Sequence, residues 1–153
     1  MAYLADLPAR TQANLKNLDC PVFDNKPRVE GPPLNQRRLA LVSTAGLMLR
    51  GEKTVRRSEA GYREIPHSVP AGNILMSHVS INYDRTGFQQ DINVVLPRDR
   101  LDEMLADGEL GAVAQTHYAF MGATDPRLMQ PHVKTLAAQL RDEQVDSALL
   151  LPV

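Results

Sequence analysis

Two stretches of this chain carry no polar side chain at all: Leu39-Ala-Leu-Val42 and, near the far end, Ala148-Leu-Leu-Leu-Pro-Val153. A strand with one wet face alternates apolar and polar residues, so runs this continuous suit strands covered on both faces, as in a parallel sheet flanked by helices. Ahead of the second run, Leu128, Met129, Val133, Leu136, Ala137 and Leu140 fall on one helical face. Strand, helix and strand in that order predict a right-handed crossover and a parallel sheet. The apolar ending is itself unusual, because terminal residues are commonly polar and frayed. In such sheets ligands sit beyond the carboxyl ends of the strands, so Val153 stands where working residues belong.

The remaining pattern fits around this frame. Residues 3–18 space Leu4, Leu7, Leu15 and Leu18 helically, which predicts an amphipathic opening helix; residues 19–36 hold four prolines and predict an extended strap. Residues 49–72, charged and broken by three glycines and two prolines, predict a long excursion of the kind that forms lids and binding loops. Further strands are expected at 73–80 and 91–97, and a short helix around Leu101, Met104 and Leu105 with Gly108 as its left-handed stop. The segment 111–126 is mixed. Asp125-Pro126 reads as a cap with proline at the first helical position, whereas Pro131 predicts that regular helix begins only near Gln130. The expected fold is a single α/β domain over 1–153: helix and strap in 1–36, sheet core in 37–153. It is three-layered and mainly parallel, flavodoxin/Rossmann-like, and incomplete at its C-terminus.

Composition narrows the function. With 17 Lys plus Arg against 18 Asp plus Glu, the chain has no long-range field to draw nucleic acid or anionic lipid. No run approaches the roughly 18 apolar residues of a membrane span, and the first residues lack a signal-peptide pattern. Cys20 is the only cysteine, so no intrachain disulfide can form and the cytoplasm is the expected compartment.

Strand exits supply the candidate site residues. His78, Asp84 and His117 can be read as an acid/base set, as metal ligands, or as groups bonded locally to backbone. Asp91 and Asn93 either polarise His78 or cap a strand entry. Ser43-Thr44-Ala45-Gly46 is either an anion-binding turn or a close-packing turn; it lacks dinucleotide and P-loop spacing. His67 and His132 read as solvated, Arg56-Arg57 as a solvated basic pair, and Cys20 as a small packed residue.

The stretches "RRLALVSTAGL" (37–47), "YREIP" (62–66), "SHVSINYDRTGFQQDINVVLPRDRL" (77–101), "GAVAQTHYAFMGATDP" (111–126) and "VDSALLLPV" (145–153) resemble the selenoprotein B family of glycine, sarcosine, betaine and D-proline reductases. In that family the strand corresponding to the last one is followed at once by selenocysteine or cysteine, so the resemblance implies a redox nucleophile immediately after Val153 and a chain cut at a codon read as stop. It implies thiol- or selenol-dependent reductive cleavage of a carbon–nitrogen bond in a small amino acid or its N-methylated relative, with a thiol donor and a pyruvoyl group on a partner subunit. A chain ending before the nucleophile is then expected to be inactive alone, and to form homo-oligomers that cover apolar surface. On this resemblance His78, Asp84 and His117 are catalytic, and Ser43, Thr44, Asn82, Tyr83, Asp91, Asn93 and Tyr118 bind substrate. Two other classes stay open: an assembly subunit pairing through the last strand, and a metal-dependent, non-redox enzyme.

Overall fold

The computed structural model describes residues 3–19, 22, 24, 28–56, 59–80 and 84–153. Its main sheet is built around β1 (Arg38–Ser43), the first apolar run. On one side β1 pairs in parallel with β7 (Ser147–Leu151), Leu39 opposite Ser147 through Ser43 opposite Leu151. On the other it pairs in parallel first with β5 (Ala112–Val113) and then with β6 (Thr116–Ala119). Between β5 and β6 the register gains two residues, Ala114 and Gln115. β3 (Arg63–Pro66) lies antiparallel on the outer edge of β6. A separate two-stranded antiparallel ribbon joins β2 (Leu47–Leu49) to β4 (Ile74–Met76).

Four helices complete the α/β class: α1 (Ala9–Lys16), α2 (Thr86–Gln90), α3 (Arg98–Ala106) and α4 (Pro126–Asp142). The pleat sends neighbouring residues to different partners. Leu41 and Ile65 join a cluster with Leu96, Leu101 and Leu110, while Val42, Tyr118 and Phe120 pack with Leu136 of α4. Burying one such leucine or isoleucine side chain stabilises the fold by roughly 2 kcal/mol.

Several expectations are corrected. The segment 91–97 is no strand: Ile92–Val94 is a 3₁₀ turn running into α3. Ile92, Val95 and Leu96 turn inward at a helical spacing while Val94 is exposed, so the apolar period there is helical and not alternating. The strand expected over 73–80 is only Ile74–Met76 and lies outside the main sheet. The excursion 49–72 contains β3, and the mixed segment 111–126 contains β5 and β6, the neighbours of β1. The opening helix is divided by Pro8 into a 3₁₀ turn (Leu4–Asp6) and α1, and neither buries a residue. α4 starts at Pro126 despite Pro131. Pro131 costs only the bond to the carbonyl of Arg127, and Arg127 is exposed, so water can take its place. Two expected stops and starts hold: Gly108 follows α3 at φ +74°, and the Asp125 carboxylate accepts the Arg127 amide at 2.9 Å.

Candidate functional site

β1, β6 and β7 run parallel, so their carboxyl ends meet at one edge of the sheet. Beyond β1 the chain turns through Thr44, Ala45 and Gly46. Gly46 has φ +64° and donates its amide to Phe120 at 2.8 Å, while an antiparallel bridge joins Ala45 to Met121. Thr44 clasps the last residue of the sequence: its Oγ1 accepts the Val153 amide at 2.8 Å and lies 3.3 Å from the Val153 carbonyl. Gly122 fits against this clasp so tightly that a Cβ would sit 2.8 Å from the Val153 oxygen and 2.9 Å from the Thr44 oxygen. Alongside opens a cleft of about 500 Å³, between Leu18–Asp19 and the turn from Gly122 to Arg127. Arg127 bridges it, bonded to Asp125 at 3.1 Å and to Asp19 at 2.9 Å. Its guanidinium is the first cause holding the Asp125 carboxyl below its usual range.

Of the expected site residues, Ser43 and Thr44 sit at this edge. The Ser43 hydroxyl is fully buried and accepts the Ala45 amide at 3.2 Å, a side-chain turn that shapes the bend. His78 comes to the same edge from β4: Ser77 donates to the Gly46 carbonyl at 2.9 Å, and a Cβ on Gly46 would stand 3.2 Å from the His78 Cα. His78 is buried, and its Nδ1 accepts the Ser80 amide at 3.2 Å. Burial first, and the Arg85 guanidinium second, lower its pKa and keep the ring neutral at pH 7. Asp84 is exposed and accepts the Thr86 amide at 2.9 Å, opening α2. Asp91 accepts both Asn93 nitrogens at 2.8 Å, and Asn93 reaches Asp99 at 2.8 Å, so this pair caps the start of α3. Asn82, Tyr83, Cys20 and Arg57 lie outside the described residues.

His117 is not at a strand exit. It lies inside β6, fully buried, opposite Ile65 of β3. Where the register slips between β5 and β6, the Gln115 carbonyl turns to the His67 amide at 2.7 Å, and Leu41 donates its amide instead to the His117 Nδ1 at 3.2 Å. The imidazole stands in for a missing strand carbonyl. Its Nε2 is 3.0 Å from the Nδ1 of His67, whose Nε2 is 2.9 Å from the Asp102 carboxylate. Burial pushes the His117 pKa down to about 3, helped by His67 and Arg98. Both nitrogens of His117 are therefore engaged, and the triad of His78, Asp84 and His117 is not assembled as a metal site. Among the described residues no group of three or more His, Cys, Asp or Glu side chains is placed to hold a metal.

Tyr118 faces the opposite side of β6, under α4, edge-on to Tyr62 at 5.5 Å, and burial raises its pKa to about 12. His67, expected in solvent, and Arg98 are the residues that sequence reasoning passed over. Arg98 is buried and donates to the carbonyls of His67 at 2.7 Å and Val69 at 2.8 Å. The available signal was their helical spacing: Arg98 and Asp102 are four apart on α3 and both reach the segment after β3. His132 is exposed on α4, as expected.

The fold is α/β, and the carboxyl ends of its parallel strands lie next to a cleft that Gly122 helps to line. The chain belongs to the glycine/sarcosine/betaine reductase selenoprotein B family, whose model matches residues 11–152. It is similar to the D-proline reductase subunit gamma of Acetoanaerobium sticklandii, 28% identical over 120 residues that make up 76% of this chain and 49% of that one. It is also similar to the glycine reductase complex component B subunit gamma of Carboxydothermus hydrogenoformans, 28% identical over 139 residues, 87% of this chain and 32% of that one. The chain thus spans about half the length of the first relative and about a third of the second. No solved structure matches, and no helix among the described residues is long and apolar enough to cross a membrane.

Proposed function

We propose that this chain is the substrate-side part of a selenol- or thiol-dependent reductase that cleaves the carbon–nitrogen bond of a small amino acid or N-methylated amino acid, of the glycine, sarcosine, betaine or D-proline type. Family membership supports the class. The observation that carries the reading is the clasp of Thr44 on Val153 beside Gly122 and His78, at the edge where parallel α/β sheets hold their ligands. A selenocysteine or cysteine next after Val153 would emerge into that edge. When present it supplies a nucleophile ionised at neutral pH.

Replacing the C–N bond by C–H consumes two electrons and a proton. A thiol donor supplies them on forming a disulfide, and the amine leaves. The pyruvoyl group belongs to a partner subunit in this reading. Within the chain, neutral His78 takes up a proton at the edge, and the close-packed Gly46 and Gly122 turns bring His78, Thr44 and Val153 together there. Residues 1–153 alone then lack reductase activity. The sheet, with helices α3 and α4 on its two sides, belongs to a three-layer domain of the flavodoxin/Rossmann type in the cytoplasm.

The test is a chain extended through the codons after Val153, with cysteine in place of selenocysteine, assayed for thiol-dependent release of amine from glycine, sarcosine and betaine and for the ring-opened primary amine from D-proline, where the amine stays attached. Turnover of one of them, with a loss of tenfold or more in His78→Asn, is the expected result. An open frame that encodes neither selenocysteine nor cysteine at that position refutes it. A second reading, an assembly subunit, is favoured by one observation: Leu150 of β7 is 68% exposed and Leu149 41%. β7 pairs only with β1 among the described residues, so its other edge is open to a strand from a partner or a second copy. A homo-oligomer by light scattering that dissociates in Leu150→Lys supports it.

A further inference from the structure

The chain of groups running from Asp102 through His67 and His117 to the Leu41 amide reaches from α3 to the start of β6 and the middle of β1, and the proposed reductase chemistry makes no use of it. Its hydrogen-bond pattern admits only one arrangement of protons. Leu41 can only donate, so His117 Nδ1 accepts and the ring proton sits on Nε2. That proton points at His67 Nδ1, which therefore accepts, and the His67 proton sits on Nε2, facing the Asp102 carboxylate. Three bonds hold three protons. A fourth proton on either ring sets two donors face to face, either between the rings at 3.0 Å or at the Leu41 amide at 3.2 Å.

We propose that Asp102, His67, His117 and the Leu41 amide form an acid-sensitive latch, closed while the His117 ring is neutral and opened when it takes a second proton. His67 is the entry point: its side chain is 25% exposed and lines an open cleft of about 450 Å³ with Ser68 and Gln115, whereas His117 behind it is fully buried. Two charged groups of α3 face the pair. The Asp102 carboxylate lies 2.9 Å from His67 Nε2, and the buried Arg98 guanidinium, bonded to the His67 and Val69 carbonyls, opposes a proton on His117. β1 presents only the Leu41 amide, and β3 presents the Ile65 side chain. Desolvation of His117 keeps its ring neutral through the physiological range, so the latch stays shut there. Opening breaks the Leu41–His117 bond, which with the Ala114 amide on the Leu39 carbonyl at 2.9 Å holds the β5–β6 slip against β1.

Nitrogen-15 NMR of the histidine-labelled chain reads the tautomers directly. At neutral pH both His67 and His117 are expected as the Nε2–H form, and a proton on His117 Nδ1 overturns the proposal. Amide exchange then reads the latch. As pH falls from 5 towards 3, the protection factor of Leu41 is expected to fall at least tenfold while Thr44 and Phe120, bonded to Leu151 and Ser43, keep theirs. Loss of all three together, or none, overturns it.

Discussion

Gly122→Ala tests the carboxyl edge most directly. Gly122 is absent from the positive-φ glycines, which are Gly46, Gly51 and Gly108, so alanine meets no backbone strain and any cost is spatial. The added Cβ lands 2.8 Å from the Val153 oxygen, 2.9 Å from the Thr44 oxygen and 3.1 Å from the Thr44 Cβ. Ordinary contact needs about half an ångström more, and two of the three atoms are backbone, so no side-chain rotation relieves it. Overpacking of this kind costs about 1–3 kcal/mol, and loosening Thr44 from Val153 adds about 1 kcal/mol for the bond between them. The expected total of about 2–4 kcal/mol lowers the melting temperature by roughly 4–16 °C in a domain of this size. Thermal unfolding by circular dichroism measures it, with Gly72→Ala, whose Cβ meets nothing within 4 Å, as the control. A Gly122→Ala melting temperature within about 1 °C of the parent refutes the packing described at this edge.

His117 makes stability pH-dependent with a defined sign. Its folded pKa of about 3 lies below the 6.5 of the free group, so the unfolded chain takes up the proton first. Its contribution is whole above pH 6.5 and is lost as pH falls towards 3, by about 1.4 kcal/mol per pH unit. Urea unfolding between pH 7 and 5 should show that slope, and His117→Gln, which keeps an acceptor without a titrating proton, should flatten it. Leu41→Ala removes a fully buried side chain from the centre of β1 and should cost about 2–5 kcal/mol in the same assay. Asp125→Ala removes the cap of α4 and should cost about 1 kcal/mol, with part of the helical circular dichroism signal fraying.

The sequence by itself determined the elements whose signal is local. The apolar run at 39–42 makes β1 because no other element hides both faces of so short a segment, and the last run makes β7, although Leu149 and Leu150 are exposed there and not covered on both faces as expected. Asp125-Pro126 and Gly108 set helix ends by their own backbone chemistry. The α/β class followed from these alone. Tertiary structure decided what depends on partners remote in the chain. Residues 91–97 read as a strand until Asn93 and Asp99 joined to cap α3. The neighbours of β1 come from a segment with no clean period, because two residues slip between β5 and β6 and a histidine ring replaces a strand carbonyl there. For the same reason the expected trio separated: His78 reached the carboxyl edge, Asp84 opened α2, and His117 joined His67 across fifty residues of chain. Hydrogen-bond partners in a folded core are assigned by the crossing of strands, and spacing along the chain carries no record of which strands will cross.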